Sequence, residues 1–448
     1  MSLPPLRLAF VSEAEARSIS RTLEEPDWLL EQRLDAVRRV AELPAESNQL
    51  FTLYHDLRPV RFETIRTYSA TGTAGDAAEV PLPVGASALL SVRGDTIAAR
   101  VLGDEARRTG VFVGTFSDAL RERPDLLSAA IGSRDTLPAD DAFAQVARAV
   151  WATGLLIHVP AGAHLDDPIV LRWEAGAPGR GLVSRTLVTL GDGAHARLLE
   201  EQVGSNGDPA GSSTEEQRLW WGTTELILGP GATLDVSGLQ EFDTDTVAFV
   251  NRHAIVDTDA HLRWALASVG SLLHKSRIDN QLDGRGASVH QAEIAFGDAA
   301  QVFDLTSYTR HRGEDTTGDL LSKGVFSGRS RGYIKGLIEI QRSATGTDSF
   351  LGEFAMLLAR KARSVTIPSL EIDQPNVRRA SHASSVAPID ETQTFYLMSR
   401  GLDRETARKT IVLGFLEPVV ARIPLPEVQD RLRALLDAKW PRVAAAAA

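Results

Sequence analysis

The chain has ten histidines and no cysteine, and those two facts bound its chemistry. Without a thiol there is no disulfide, no thiolate zinc site, no cysteine nucleophile and no self-held Cys₄ cluster. The histidines are scattered, and no two have a convincing metal-ligand spacing. His164, His195 and His261 each fall in a short phrase that recurs after a turn, where a polar residue is ordinarily just exposed. His382 has a denser setting: Arg378-Arg379 precede Ala380-Ser381-His382, and Ala383-Ser384-Ser385 follow. An imidazole there is either a structural hydrogen-bonding group or a ligand, and residue type alone leaves both open. A second basic run, Arg360-Lys361-Ala362-Arg363, reads as a solvated turn between strands. The carboxylate pair Asp166-Asp167 also reads as a turn.

Several chemistries are missing. There is no G-x-x-x-x-G-K-[ST], so the chain is not a P-loop ATPase. No G-x-G-x-x-G sits between a strand and a helix, and no H-E-x-x-H occurs. The net charge is −11 and the pI is near 5.5, which argues against non-specific binding to nucleic acid or an anionic membrane. No apolar run is long enough for a transmembrane helix. Met1 to Val11 lacks a basic n-region, a full h-region and a small-residue cleavage site, so the cytoplasm is the expected compartment.

The elements that must position these residues fall into three regions. Residues 1–150 read as a helical and α/β region. Ser12 caps a first helix running to about Glu24, and Asp27 is placed as the N-cap of a second. That second helix carries Leu30, Leu34, Val37 and Ala41 as one apolar stripe and ends at Leu43-Pro44. Ala88 to Val92 and Thr96 to Leu102 read as short strands, and Asp118 to Ile131 and Ala139 to Trp151 as helices.

From 151 to 377 the texture becomes short apolar or alternating runs separated by glycine-containing turns. A phrase repeats at Gly162-Ala163-His164-Leu165, Gly193-Ala194-His195-Ala196, Gly231-Ala232-Thr233-Leu234, Asp259-Ala260-His261-Leu262 and Gly286-Ala287-Ser288-Val289. Its starts lie 31, 38, 28 and 27 residues apart. A loose period of that size with strand texture fits a β-solenoid. An antiparallel sandwich with Gly-Ala hairpins is the alternative. Residues 378–448 read as a C-terminal helical region, joined to the strands by the segment from Arg378 to Ser385, with helices returning from 386 on. Asp403 caps one carrying Ala407, Ile411 and Phe415. After Ile423-Pro424-Leu425-Pro426 a last helix places Val428, Leu432 and Leu435 on one stripe, ends near Trp440-Pro441 and leaves frayed terminal alanines.

The stretch from Ile367 to Val419 carries a family resemblance. Pro368-Ser369-Leu370-Glu371-Ile372 leads to Arg379-Ala380-Ser381-His382-Ala383-Ser384-Ser385-Val386. Then come Asp390-Glu391, Phe395-Tyr396-Leu397-Met398-Ser399-Arg400-Gly401-Leu402, Glu405-Thr406-Ala407 and Gly414-Phe415. This run resembles the C-terminal signature of the SufB/SufD family of iron–sulfur assembly proteins, and its Ser-His and Phe-Tyr-Leu…Arg-Gly parts look like SufD. Glu25-Pro26-Asp27-Trp28-Leu29-Leu30 with Arg33-Leu34, and His158-Val159-Pro160-Ala161-Gly162 with Asp167-Pro168-Ile169, are similar to earlier segments of the same family.

The resemblance implies a mostly β protein, a right-handed parallel β-helix between helical N- and C-terminal regions. It implies a non-ATPase scaffold that pairs with a SufB-type subunit and binds a SufC-type ATPase through its C-terminal helices. No cofactor is expected on the chain alone, only a transient iron–sulfur cluster at the interface with SufB. The SufB role needs a cysteine to receive sulfur and ligate iron, and this chain has none. His382 matches the histidine of the SufD signature, where the resemblance implies a ligand to the nascent cluster, as in mixed His/Cys clusters. Where many relatives have Cys-Ser-His-Gly-Ala-Thr, this chain has Ala380-Ser381-His382-Ala383-Ser384-Ser385, and Ala383 disfavours a positive φ. Arg379, Ile411 and Phe415 are the expected partner contacts. Two further readings stand beside this one. The first is a self-associating homodimer of the same scaffold. The second is a β-helical carbohydrate-active enzyme, which would need clustered carboxylates on one face.

Overall fold

The computed structural model describes residues 3–70, 80–132, 136–204 and 216–447. Two ten-stranded sheets form its centre. The chain alternates between them, so each coil adds one strand to each sheet. The first sheet runs from Thr153–Val159 through Arg180–Leu190 and Leu273–Leu282 to Arg363–Ile372. The second runs from Ala88–Arg93 through Ile169–Glu174 and Ser288–Gly297 to Arg379–Pro388. All pairings between successive coils are parallel, which selects the solenoid over the antiparallel sandwich.

The repeated phrase marks the turns. Gly162, Gly193, Gly231, Asp259 and Gly286 all have positive φ, between 51° and 71°. Glycine takes that left-handed conformation freely, and aspartate tolerates it. The phrase goes on past the five copies legible in the sequence, with Asp315 at φ 56° and Gly346 at φ 78°. Because every turn starts alike, the strands stack without slipping. His195, Thr233, His261, Ser288, Thr317, Asp348 and Arg379 lie in one register column.

Alternate residues of each strand point into the bore. In the second sheet Leu198, Val236, Trp264, Leu320 and Leu351 form one buried inward column. The Trp264 indole N–H crosses the bore to Asn280 Oδ1 at 2.9 Å.

The N-terminal helices cover the outer face of the first sheet. Ser12 caps Glu13–Thr22. Asp27, expected as an N-cap, is instead the first helical residue of Asp27–Glu42, and Pro26 holds the cap position without a side-chain bond. The buried stripe of that helix is Leu29, Arg33, Ala36 and Val40, one residue round from the apolar stripe in the sequence. An ion pair turns it. Arg33 is fully buried, donates to both Glu25 oxygens at 2.6 and 2.8 Å, and stacks 3.8 Å above the Trp151 ring.

The C-terminal helices Arg404–Val420 and Pro426–Ala447 cover the outer face of the second sheet. Val412, Leu416, Val420, Leu432 and Leu436 pack on Ala265, Ala267, Ile294 and Val325. The last helix runs past Pro441 and through the terminal alanines to Ala447, where the sequence suggested an end and fraying. Tertiary anchors offset the hydrogen bond that proline cannot make. Trp440 and Val443 are buried, and Ser327 Oγ donates to the Val443 carbonyl at 2.9 Å. Among the described residues no helix is long and apolar enough to cross a membrane.

Candidate functional site

The two ends of the solenoid differ. At the N-terminal end the sheets finish in short antiparallel strands, Phe112–Thr115 on the first and Thr96–Leu102 on the second. At the C-terminal end Arg363–Ile372 and Arg379–Pro388 each pair on one side only. Among the described residues no strand pairs with their other edges, where alternate residues present free backbone donors and acceptors. Such edges are templates for another strand. Apolar side chains accompany them: Ile372 is 45% exposed and Val386 37%.

His382 lies on the last of these strands. The sequence suggested a connection to the helices from residue 378, but the strand continues to Pro388. His382 is paired with Leu351, so it extends the inward column of the second sheet. Ala380, two residues earlier on the same face, packs against the bore residues Ile338, Ile340 and Leu351. No coil follows, so His382 faces the open mouth of the bore and is exposed. Ala383 sits inside a regular strand and its φ is not positive, so the missing glycine does not disturb the placement of the imidazole. Among the described residues, no three His, Asp or Glu side chains gather to hold a metal ion. His382 is therefore not part of a complete metal site among the described residues of this chain.

The remaining candidates do not join it. Arg379 opens the same strand, but its Nε donates to Asp348 Oδ1 at 2.7 Å and its guanidinium lies 5.8 Å from the Phe350 ring. Ile411 and Phe415 lie on Arg404–Val420 and are half-buried against the second sheet. Lys323 Nζ donates to the Phe415 carbonyl at 2.7 Å and sits 4.5 Å from its ring. Phe415 thus holds the helix to the solenoid. His164 and His195 do stack, with ring centroids 4.4 Å apart and planes 17° from parallel. His164 also lies 3.1 Å from Asp166 Oδ1, and His261 2.7 Å from Ser288 Oγ. They are rungs of the turn column. Arg363, in the other basic run, donates to the carbonyls of its own turn, Arg360 at 2.7 Å and Ala362 at 2.8 Å.

Two features were overlooked in the sequence. Gly328-Arg329-Ser330-Arg331-Gly332 has the G-x-S-x-G spacing of a serine-hydrolase elbow. Ser330 is fully buried, and its hydroxyl donates to the Ser327 carbonyl at 2.7 Å. It lies in a turn between two strands with no helix after it, so it is a turn residue. The second is the helix Glu391–Ser399, in which Thr394 is the buried residue. Phe395 is 70% exposed, Tyr396 56% and Met398 39%, and Leu402 follows at 36%. The signal was present: four successive apolar residues, Phe395 to Met398, cannot all share one face of a helix. A contiguous exposed apolar surface of this kind marks an interaction site.

Residues 173–415 match the family model described as "SUF system FeS cluster assembly, SufBD core domain". The chain is 27% identical over 433 residues to an iron–sulfur cluster assembly SufBD family protein of Staphylococcus haemolyticus, covering 93% of this chain and 90% of that one. A SufBD family protein of Staphylococcus epidermidis is 27% identical over the same span, and one from Staphylococcus aureus is 25% identical. The match covers the strands of the bore from Arg180–Leu190 onward, and the chain belongs to the SufBD family of iron–sulfur cluster assembly proteins.

Proposed function

We propose that this chain is the SufD-type, cysteine-free scaffold subunit of an iron–sulfur assembly complex. It pairs through its open last coil with a cysteine-bearing SufB-type subunit and docks a SufC-type ATPase on its C-terminal helices. The observation that carries this reading is the open end. Two parallel edge strands display Ile372, His382 and Val386, and a subunit of like architecture would continue both sheets across the junction. His382, at the mouth of the bore, then faces the partner, which supplies the thiolates this chain lacks. The nascent cluster is cargo at that junction. The ATPase surface is Phe395, Tyr396, Met398 and Leu402; it replaces Ile411 and Phe415, which are engaged internally.

Co-expression with a cysteine-bearing SufBD sibling and a P-loop ATPase, followed by size exclusion, tests the assembly. The three are expected to co-elute. Ile372→Lys with Val386→Lys places charges on the open edge and is expected to abolish co-elution with the sibling while leaving the melting temperature of the isolated chain unchanged. His382→Ala is expected to leave the complex whole and slow anaerobic cluster reconstitution. Failure of the three to co-elute refutes the scaffold reading, and a normal reconstitution rate in His382→Ala makes that residue structural. A second reading uses the same edge: an isologous pair with its own copy. Light scattering of the isolated chain distinguishes it, since a dimer there should revert to a monomer in the Ile372→Lys, Val386→Lys variant.

A further inference from the structure

One coil below the open mouth is a carboxyl with no side-chain partner. Glu353 lies on Asp348–Leu357, paired with Ser384 and two residues from Leu351, which pairs with His382. It shares the inward face with Leu351. Glu353 is 1% exposed, and neither carboxyl oxygen has a partner in hydrogen-bonding geometry. A buried acidic group is ordinarily paired, and elsewhere in the same bore it is. Glu200, in the same register column of the second sheet, meets the Arg252 guanidinium at 2.6 Å from the opposite sheet. Across the bore from Glu353 stands Gly336. A methyl group on its Cα would come within 2.7 Å of Glu353 Oε1 and 2.6 Å of a Leu351 methyl carbon. The glycine makes room for the carboxyl and offers it no side-chain donor. What remains is a buried acid without a side-chain donor, one rung below His382 and two residues along the strand from it.

An imidazole and a carboxylate together suit divalent first-row cations such as ferrous iron. We propose that Glu353 and His382 are the two protein groups of a divalent-cation site at the mouth of the bore, its other ligands being water or groups of the partner. The inference deepens the reading of His382 given above, by placing a second ligand for the incoming metal on this same chain. It also accounts for a buried acid that has no side-chain partner within the fold.

Cobalt(II) titrated into the isolated full-length chain, followed by calorimetry and visible absorption, is the test. Wild type is expected to bind one Co²⁺ with d–d bands that vanish in His382→Ala. Glu353→Gln is expected to weaken binding about tenfold or more, the range seen when groups supporting a metal site are removed. The double variant should bind no more weakly than the worse single variant, because both groups serve one ion. Glu371→Gln, at an exposed position on the neighbouring edge strand, should change nothing. Glu353→Leu fills the same space without an amide and should lose the same affinity, which keeps the test open if the glutamine variant folds poorly. The site is refuted if wild type binds no Co²⁺, if Glu353→Gln binds it as wild type does, or if the two losses simply multiply. Co-elution with partners does not depend on any of these results, so failure here and failure of the scaffold reading are separate outcomes.

Discussion

Asp304→Asn is the substitution whose cost the structure defines best. Asp304 lies on the outer face of the first sheet beneath the N-terminal segment and is 3% exposed. It takes Lys275 Nζ at 3.0 Å and Lys335 Nζ at 2.7 Å. Glu46 approaches Lys275 at 3.9 Å, and Phe51 packs over Lys335 with its ring centroid 5.4 Å from the ammonium. Burial alone would raise the Asp304 carboxyl, but the Lys275 and Lys335 ammonium groups outweigh it and hold it below the usual carboxylate range. Burial lowers Lys335, and Asp304 is the largest of the groups opposing that. Asparagine keeps the shape and removes the charge, leaving two buried ammonium groups without their shared counter-ion. Breaking a buried pair in this way costs about 3–5 kcal/mol.

The pH dependence separates this mechanism from a packing defect. A carboxyl whose folded pKa is depressed contributes stability that is present above its unfolded pKa of about 3.9 and lost as pH falls through the window below it. The gap between wild type and variant should therefore be full at pH 7 and shrink below about pH 4. At the alkaline end Lys335, now without Asp304, should lose its proton still more readily in the folded state. The unfolded chain then binds more protons than the folded one up to about pH 10, so the variant should gain stability with rising pH. Urea unfolding followed by tryptophan fluorescence at pH 4, 7 and 9.5 measures both trends. A variant within about 1 kcal/mol of wild type at pH 7, a small fraction of the expected loss, or a gap independent of pH, would refute the argument.

Other outcomes follow from the C-terminal helices. Phe395→Ala with Tyr396→Ala should leave the melting temperature unchanged and abolish ATPase co-elution, because both side chains are exposed. Phe415→Ala should instead lower stability by about 1–3 kcal/mol, less than a full core Phe→Ala because the ring is half-buried, as thermal unfolding would show. Lys439 is buried on the last helix and donates to the Val269 carbonyl at 2.5 Å, to Gln301 Oε1 at 2.7 Å and to the Phe296 carbonyl. Burial is the main cause that brings its pKa down to about 7, against the attraction of Asp298. Its unfolded value is near 10.4, so between those limits the unfolded chain holds more protons and stability should rise with pH. Lys439→Met should flatten that slope in melting temperatures recorded between pH 7 and 10, and a slope unchanged from wild type would show that another group causes it.

Much of the protein was legible because it depends on local rules. The repeated turn phrase needs a left-handed residue at each start, and glycine or aspartate at Gly162, Gly193, Gly231, Asp259 and Gly286 announces it. The absence of cysteine closes thiolate chemistry whatever the fold. The family follows from the run between Ile367 and Val419. The helix faces were less legible. In Asp27–Glu42 the buried stripe is one residue round from the apparent apolar one; in Arg404–Val420 Ala407 is buried as expected, but Val412 and Leu416 take the core side in place of Ile411 and Phe415. In the first case a fully buried Arg33 occupies the core side, and hydrophobic periodicity has no way to represent a buried ion pair with Glu25.

Tertiary structure alone decided where the chemistry lies. Residue types identify His382 as a candidate, but its register opposite Leu351 puts it at the mouth of the bore, and the lack of a further coil leaves it exposed. Glu353 is unremarkable in sequence; it stands out only because the opposite sheet presents Gly336 where Glu200 meets an arginine. A solenoid brings residues about 30 positions apart onto neighbouring rungs, so the partners of a bore residue are set by coil length and register. The sequence by itself determined that this chain cannot supply thiolate ligands. Stacking of the coils determined which of its remaining groups a metal or a partner can reach.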